Sequence, residues 1–252
     1  MHCHMDQFLA TAAHDLRTPV SVALMGVDLA QVRIKRIATA VAPAPDGDRS
    51  AGGCDDVSSA INALEHASQA IERLSRLIGR LFDVALARNG KLELRPLPCD
   101  LATLVRDYTG AQRALTPERT IRLDLPTDVA VPVVADADRL GQVVTNFLSN
   151  ALKYSPPNRP IDVNLVMDGR QVRVAVRDDG PGLPLEERDR VWEPFHRAQG
   201  IAAQGNTRES LGLGLYICKT VVERHGGQVG VESVAGKGST FWFTLPLAGA
   251  IG

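Results

Sequence analysis

The chain has 252 residues, 44% hydrophobic and 23% charged, an ordinary globular mix that excludes wholesale disorder and allows one large or two ordinary domains. Its 28 Lys+Arg balance 29 Asp+Glu for a net charge of -1, and no Lys/Arg block interleaved with aromatics occurs, so no nucleic-acid partner is expected. The four cysteines, Cys3, Cys54, Cys99 and Cys218, lack C-x-x-C spacing and read as reduced cytoplasmic thiols; no apolar run approaches the roughly 18 residues of a membrane span, so a soluble segment without membrane contact is expected.

In chain order, His2-Cys3-His4 could ligate a soft metal, but no second cluster completes such a site and a frayed terminus is the plainer reading. From Leu9, apolar residues fall at Ala13, Leu16, Val20, Ala23, Val27, Ala30, Ile34 and Ile37 in alternating steps of three and four, a heptad seam. Residues 41–56, with two prolines and three glycines, interrupt it and predict a flexible connection. A second seam runs through Val57, Ile61, Leu64, Ile71, Leu74, Ile78, Leu81 and Ala85 and stops at Asn89-Gly90. Two such helices form a hairpin whose narrow seam buries little, so a homodimeric four-helix bundle is expected; the alternative is a pair of core helices packed on the rest of the chain.

Beyond Gly90, short alternating or apolar runs predict strands at residues 91–97, 120–125, 131–135, 161–167, 171–177, 228–233 and 239–247, with a hairpin across Asp168-Gly169. Helices are predicted at 100–115, 136–152 and about 214–225, the first two opened by Asp100 and Asp136 as N-caps. The expected architecture is α+β: a helical hairpin over residues 1–90, then an α/β two-layer sandwich over 91–250. Residues 188–211 fit neither period, and their composition suggests a mobile lid.

No G-x-x-x-x-G-K-[ST] run occurs, which excludes a P-loop. The glycine-rich runs are instead RDDGPGLP (177–184), LGLGL (211–215) and GKGST (236–240), each alone a routine turn signal. In order with RLGQVVTNFLSNALKYSP (139–156) and VWEPFHR (191–197), they resemble the GHKL-type, Bergerat-like ATP-binding domain of sensor histidine kinases. The run FLATAAHDLRTP (8–19) resembles the phosphoacceptor box of that family, so the resemblance spans nearly the whole chain.

The chemistry of each motif agrees. Asn146 and Asn150 are four apart on one predicted helix face, with Lys153 and Tyr154 at its end. An amide oxygen is a hard neutral ligand, and Mg²⁺ takes most of its other ligands from water and phosphate. The resemblance implies that Asn150 holds Mg²⁺, that Asn146 orients water or phosphate beside it, and that Lys153 and Tyr154 contact the phosphates of ATP. Asp178, at a strand end, can accept from an exocyclic amine; the resemblance makes it the reader of adenine, with Asp179 one residue out of register. Gly180 and Gly182 let the backbone approach the base, and Gly212 and Gly214 offer amides to the polyphosphate. Phe195 and Arg197 match the aromatic box, with Arg197 a phosphate contact, and Thr240 is taken as the support of the Asp178 network. Ser210 stands where the family often has glycine.

His14 lies just off the first seam, open to a phosphate donor, and a neutral imidazole is a good nucleophile. Asp15 can take up or orient its ring proton. Thr18 lies one turn on, and by resemblance Asp15 and Thr18 suit positioning water for dephosphorylation of a partner. Pro19 is expected to loosen the helix beyond the acceptor. His66, His196 and His225 are rivals, the last read as a helix-end cation. The implied function is autophosphorylation of His14 from ATP and transfer to an aspartate of a response-regulator receiver domain in two-component signalling. An ATP-gated dimeric scaffold that transfers no phosphate is the alternative, and an ATPase clamp has no use for the HDLRTP run. With 13 residues ahead of His14, a sensory or linker module, or a membrane anchor, is expected upstream.

Overall fold

The structure is a computed structural model that describes residues 20–21, 24–32, 34–35, 51–126, 129–198 and 212–249. The chain divides into two compact units, Met1–Gly90 and Lys91–Gly252.

In the first unit, residues 20–21, 24–32 and 34–35 are helical (α1), and α2 spans Ala51–Arg88. Helix α2 therefore includes residues 51–56 of the expected connection. Glycine costs about 1 kcal/mol against alanine inside a helix, a penalty that propagation of a long helix outweighs and that apolar periodicity does not register. Its end is as expected: Asn89 Nδ2 donates to the Ala85 carbonyl at 2.8 Å, and Gly90 turns the chain at φ 68. The seam residues Val27, Ala30, Ile34, Ile61, Leu64 and Ile71 are half-buried, and Ile78 and Ala85 are buried. Lys35 Nζ reaches Glu65 at 3.4 Å across the two helices. A second apolar stripe, absent from the predicted seam, is left exposed on α1: Met25 at 72%, Leu29 at 54% and Val32 at 48%. Seam residue Leu74 is also exposed.

The second unit is a two-layer sandwich. Strands β2 (Ile121–Asp124), β4 (Ile161–Asp168), β5 (Gln171–Asp178), β6 (Gln228–Ser233) and β7 (Ser239–Pro246) form one sheet in the order β2-β4-β5-β7-β6, with β2 and β4 parallel and the other neighbours antiparallel. A separate ribbon pairs β1 (Leu97–Asp100) with β3 (Pro132–Ala135). The period-2 alternation on each long strand has the expected result: Ile161, Val163 and Leu165, Val172, Val174 and Val176, and Phe241, Phe243 and Leu245 all point to one buried face. Helices α3 (Leu101–Leu115), α4 (Ala137–Tyr154) and α5 (Gly214–Arg224) cover it, with α4 between the other two. Phe147 of α4 is fully buried and anchors that helix through tilted and edge contacts with Phe241, Phe243 and Trp192, at ring-centroid separations of 5.8, 6.2 and 6.3 Å.

The side chains of Asp100 and Asp136 cap α3 and α4 as predicted, accepting from Ala102 N and Arg139 N at 3.1 Å each. Residues 91–96 are a correction, since they alternate like a strand but pair with none. Their polar groups go to side chains instead: the Arg95 N–H donates to Asp136 Oδ2 at 2.9 Å, and the Leu92 carbonyl accepts from Arg224. His225 is also corrected. Its Nε2 accepts from the Asp136 N–H at 2.9 Å while Nδ1 faces the Val221 carbonyl at 2.8 Å, so Nδ1 is the protonated nitrogen and the ring is a neutral bridge between α4 and α5.

Candidate functional site

Helix α4 buries Leu140, Val143, Val144, Phe147, Leu148 and Ala151, and this stripe fixes its rotation. Asn146, Asn150 and Lys153, at i, i+4 and i+7, then line one edge of the stripe, half-buried. Gly214 opens α5 directly against them: a Cβ there would stand 3.2 Å from Asn146 Oδ1. The far end of α4 is held by Arg119, whose guanidinium donates to the Leu152 carbonyl at 3.1 Å and to Ser155 Oγ at 2.6 Å. Lys153 Nζ lies 4.8 Å from the centre of the Tyr154 ring, in cation–π range. Four of the predicted residues and Gly214 are thus brought to one helix edge, with amide oxygens beside one ammonium.

Asp178 ends β5 on the buried face, 5% exposed. Burial pushes its pKa up to about 6 against the pull of the Gly180 and Ser239 backbone N–H groups, and the Asp179 charge adds to the rise. Gly180 N–H donates to Asp178 Oδ1 at 2.7 Å. A Cβ on Gly180 would meet that same oxygen at 2.6 Å and the Tyr154 carbonyl oxygen at 2.9 Å, so the glycine links the carboxylate to the end of α4. Asp179 instead points to Arg177, at 3.6 Å, which separates the two neighbouring aspartates by environment.

The loop after Asp178 and the hairpin between β6 and β7 interlock. Gly182 (φ 69) and Gly238 (φ 86) take left-handed conformations, and a Cβ on either would collide with a carbonyl, that of Val234 or of Asp178. Gly236 N–H donates to the Pro181 carbonyl at 2.7 Å. Ser233, 5% exposed, accepts from Leu183 N–H at 2.7 Å, donates to the Gly238 carbonyl at 2.8 Å, and lies 2.9 Å from Ser239 Oγ. Ser239 is the register partner of Asp178 and buried with it, whereas Thr240 pairs with Arg177 and its side chain belongs to the opposite face of the sheet. The expected place of Thr240 in the Asp178 network is therefore corrected. The neighbouring hydroxyl occupies that place, which strand alternation alone assigns once Phe241 is known to face inward.

Phe195 carries a positive φ of 65, singular among the described non-glycine residues, and its N–H donates to the Gly212 carbonyl at 3.0 Å. Next to it, His196 Nε2 meets the buried Glu187 carboxylate at 2.5 Å, with Arg190 3.6 Å from the same carboxylate. This largely buried pair, which leaves no periodic mark in the sequence, sets the turn that presents Phe195 and Arg197, both exposed. Gly212 (φ 68) packs so closely on the His196 carbonyl that a Cβ would collide with it. His196 is thereby committed to Glu187. His66 is exposed on α2. His14, Asp15, Thr18, Pro19, the His2-Cys3-His4 run, Ser210, residues 41–50 of the predicted connection and residues 199–211 of the predicted lid lie outside the described residues.

Residues 135–249 match the family model described as histidine kinase-, DNA gyrase B-, and HSP90-like ATPase. The chain is 29% identical over 245 residues to the adaptive-response sensory kinase SasA of Synechococcus sp. (strain JA-3-3Ab), covering 96% of this chain and 59% of the relative. It is 30% identical to the protein of the same name in Gloeothece citriformis (strain PCC 7424), with 58% of that protein covered. The chain thus spans less than two thirds of the length of these relatives. Among solved structures, full-length ShkA in complex with AMPPNP is similar at a TM-score of 0.70 and 27% identity, over 96% of this chain and 46% of that one. The mycobacterial sensor histidine kinase MprB is similar at a TM-score of 0.52 and 28% identity, over 61% of this chain and 98% of that one. A match to this ATPase family thus follows a helical unit, and the similarity to sensory kinases runs across both.

Proposed function

We propose that this chain binds ATP in its second unit and transfers the γ-phosphoryl group to His14 of its first, then onward to an aspartate of a response-regulator receiver domain. The observation that carries the reading is the pairing, in one α/β layer, of a buried carboxylate among close-packed glycines (Asp178) with a helix edge of amides and an ammonium (Asn146, Asn150, Lys153). The first suits an exocyclic amine, to which a carboxylate can accept. The second suits a polyphosphate and its cation. In the transfer, a neutral imidazole nitrogen of His14 forms a bond to the γ-phosphorus, the bond to the β,γ-bridging oxygen breaks, ADP leaves, and Asp15 takes the ring proton. Transfer onward breaks the N–P bond as the partner's carboxylate forms an acyl phosphate. In a separate phosphatase step, Asp15 and Thr18 would orient water to attack the phosphorus of the partner's acyl phosphate, which releases inorganic phosphate and restores the carboxylate.

Mg²⁺ fits the donor set present. Among the described residues no cluster of three or more His, Cys, Asp or Glu could hold a metal, whereas Asn150 offers a hard amide oxygen that leaves room for phosphate oxygens. Bound there, the ion would neutralise charge on the phosphates. Lys153 and Arg197 add positive charge from the protein, and Gly212 and Gly214 add backbone N–H groups at the start of α5.

The stripe Met25, Leu29 and Val32, with Leu74, supports a homodimer. Its 4-and-3 spacing is that of a bundle seam, and a second copy of the same hairpin offers the matching stripe. Light scattering is expected to give a dimer, and Leu29→Glu a monomer. Among the described residues no helix is long and apolar enough to cross a membrane; a cytoplasmic working place for this segment belongs to the proposed reading. The functional test is incubation with γ-labelled ATP with and without Mg²⁺, followed by addition of a receiver domain. Label is expected on this chain, then on the receiver; phosphate release with no labelled protein would reject the reading.

A further inference from the structure

The hydrogen-bond inventory beside Asp178 has one solution. Ser233 has a single hydroxyl proton and gives it to the Gly238 carbonyl, which can only accept, at 2.8 Å. Leu183 N–H, which can only donate, points at the Ser233 oxygen from 2.7 Å. The Ser233–Ser239 contact at 2.9 Å therefore has Ser239 as its donor. With its proton committed to Ser233, Ser239 Oγ has only lone pairs for anything else. It stands on the strand position directly opposite Asp178, on the same buried face.

We infer that Ser233 is a specificity-determining residue of the nucleotide pocket: it holds Ser239 as an obligate acceptor beside the Asp178 carboxylate, so that the pair selects a donor-bearing exocyclic amine over a carbonyl at the same place on the base. An amino group has two protons to give to two acceptors. A 6-oxo group in that position would set its lone pairs against theirs and leave all of them unsatisfied in a buried site. Ser233 touches no base itself and acts through Ser239. The same hydroxyl ties the loop after Asp178 to the β6–β7 hairpin. This inference rests on the reading that the base binds at Asp178.

The test measures dissociation constants of the full chain for ATP, GTP and inosine triphosphate, in wild type, Ser233→Ala, Ser239→Ala, the double variant and Asp178→Asn. In Ser233→Ala the Ser239 proton is released and can turn toward the base. ATP affinity is expected to fall about 5–10-fold, that for the two 6-oxo nucleotides to hold or rise, and discrimination to fall about 10-fold. Ser239→Ala should lower discrimination by a similar factor, and Ser233→Ala should add nothing in that background. A merely structural serine would weaken all three nucleotides together, so an unchanged ratio in Ser233→Ala overturns the inference. Should Ser233→Ala not fold, Ser239→Ala carries the decision, and an unchanged ratio there overturns it equally. If Asp178→Asn leaves ATP binding intact, it is the placement of the base that fails, a result distinct from either of the others.

Discussion

The two ends of the proposed nucleotide site are built differently. At the Asp178 end, specificity is written into backbone: three glycines whose Cβ positions are filled by neighbouring groups, two interlocked loops, and a carboxylate held in a buried place. At the α4 end, Asn146, Asn150 and Lys153 are half-buried side chains on the rim of a helix whose rotation is fixed by Phe147. The fold and the Asp178 end cannot be altered separately, because the same contacts serve both. The α4 edge can be altered with the fold intact.

That contrast makes a graded set of expectations. Asn150→Ala should cost the largest loss of phosphorylation, at least about 100-fold, through loss of the amide proposed to hold the cation. The melting temperature should stay within about 1 °C, since a rim residue carries little packing. A large drop in stability would break the contrast.

Asp178→Asn should weaken ATP binding by about 10–100-fold, the worth of hydrogen bonds to a charged group, while stabilising the unliganded protein. The sign follows from the raised pKa. The folded state favours the protonated acid, so stability is fully present below the unfolded pKa near 3.8 and is lost as pH rises through about 6. Above pH 7 the wild type thus carries a penalty on the order of 2–3 kcal/mol that the amide lacks. Thermal melts should show Asp178→Asn ahead of wild type at pH 8 and level with it near pH 4. By the same titration, ATP binding should weaken as pH falls below about 6, where Asp178 ceases to be only an acceptor.

Gly238→Ala should lower stability by about 3 kcal/mol, roughly 6–12 °C in melting temperature, through a strained φ and a backbone collision, and should weaken ATP binding about 10-fold as the loops part. Thr240→Ala should have the smallest effect, under 2-fold on ATP affinity, because that side chain belongs to the outer face of the sheet. Titration calorimetry of these variants ranks them directly.

Much of this was legible in the sequence, and the misses share a cause. Period-2 alternation locates six of the strands, because each buries one face and the pattern is the burial, and the helices of the second unit are read in the intervals between them. Asp100 and Asp136 were legible as caps because the chemistry of a helix start is local. Residues 91–96 show the limit. Their alternation is real, but Asp136 and Arg224, distant in sequence, take the hydrogen bonds a ladder would have used. Glu187–His196 and Ser233–Ser239 are not legible in the sequence for a related reason: a buried polar pair is defined by its partner, and a lone Glu or Ser carries no periodic mark. The exposed stripe of Met25, Leu29 and Val32 is masked in the sequence because one helix carries two apolar seams, of which the longer dominates the pattern.

The central claim, that the ATP site of the second unit serves His14 of the first, is tested most directly by one labelling experiment. Wild type and His14→Gln are incubated with γ-labelled ATP and Mg²⁺, and the protein-bound label is tested for stability in acid and base. The account predicts an acid-labile, base-stable label on wild type and none on His14→Gln, with ATP affinity equal in the two. Label persisting on His14→Gln, or ATP turnover with no labelled wild type, would contradict it.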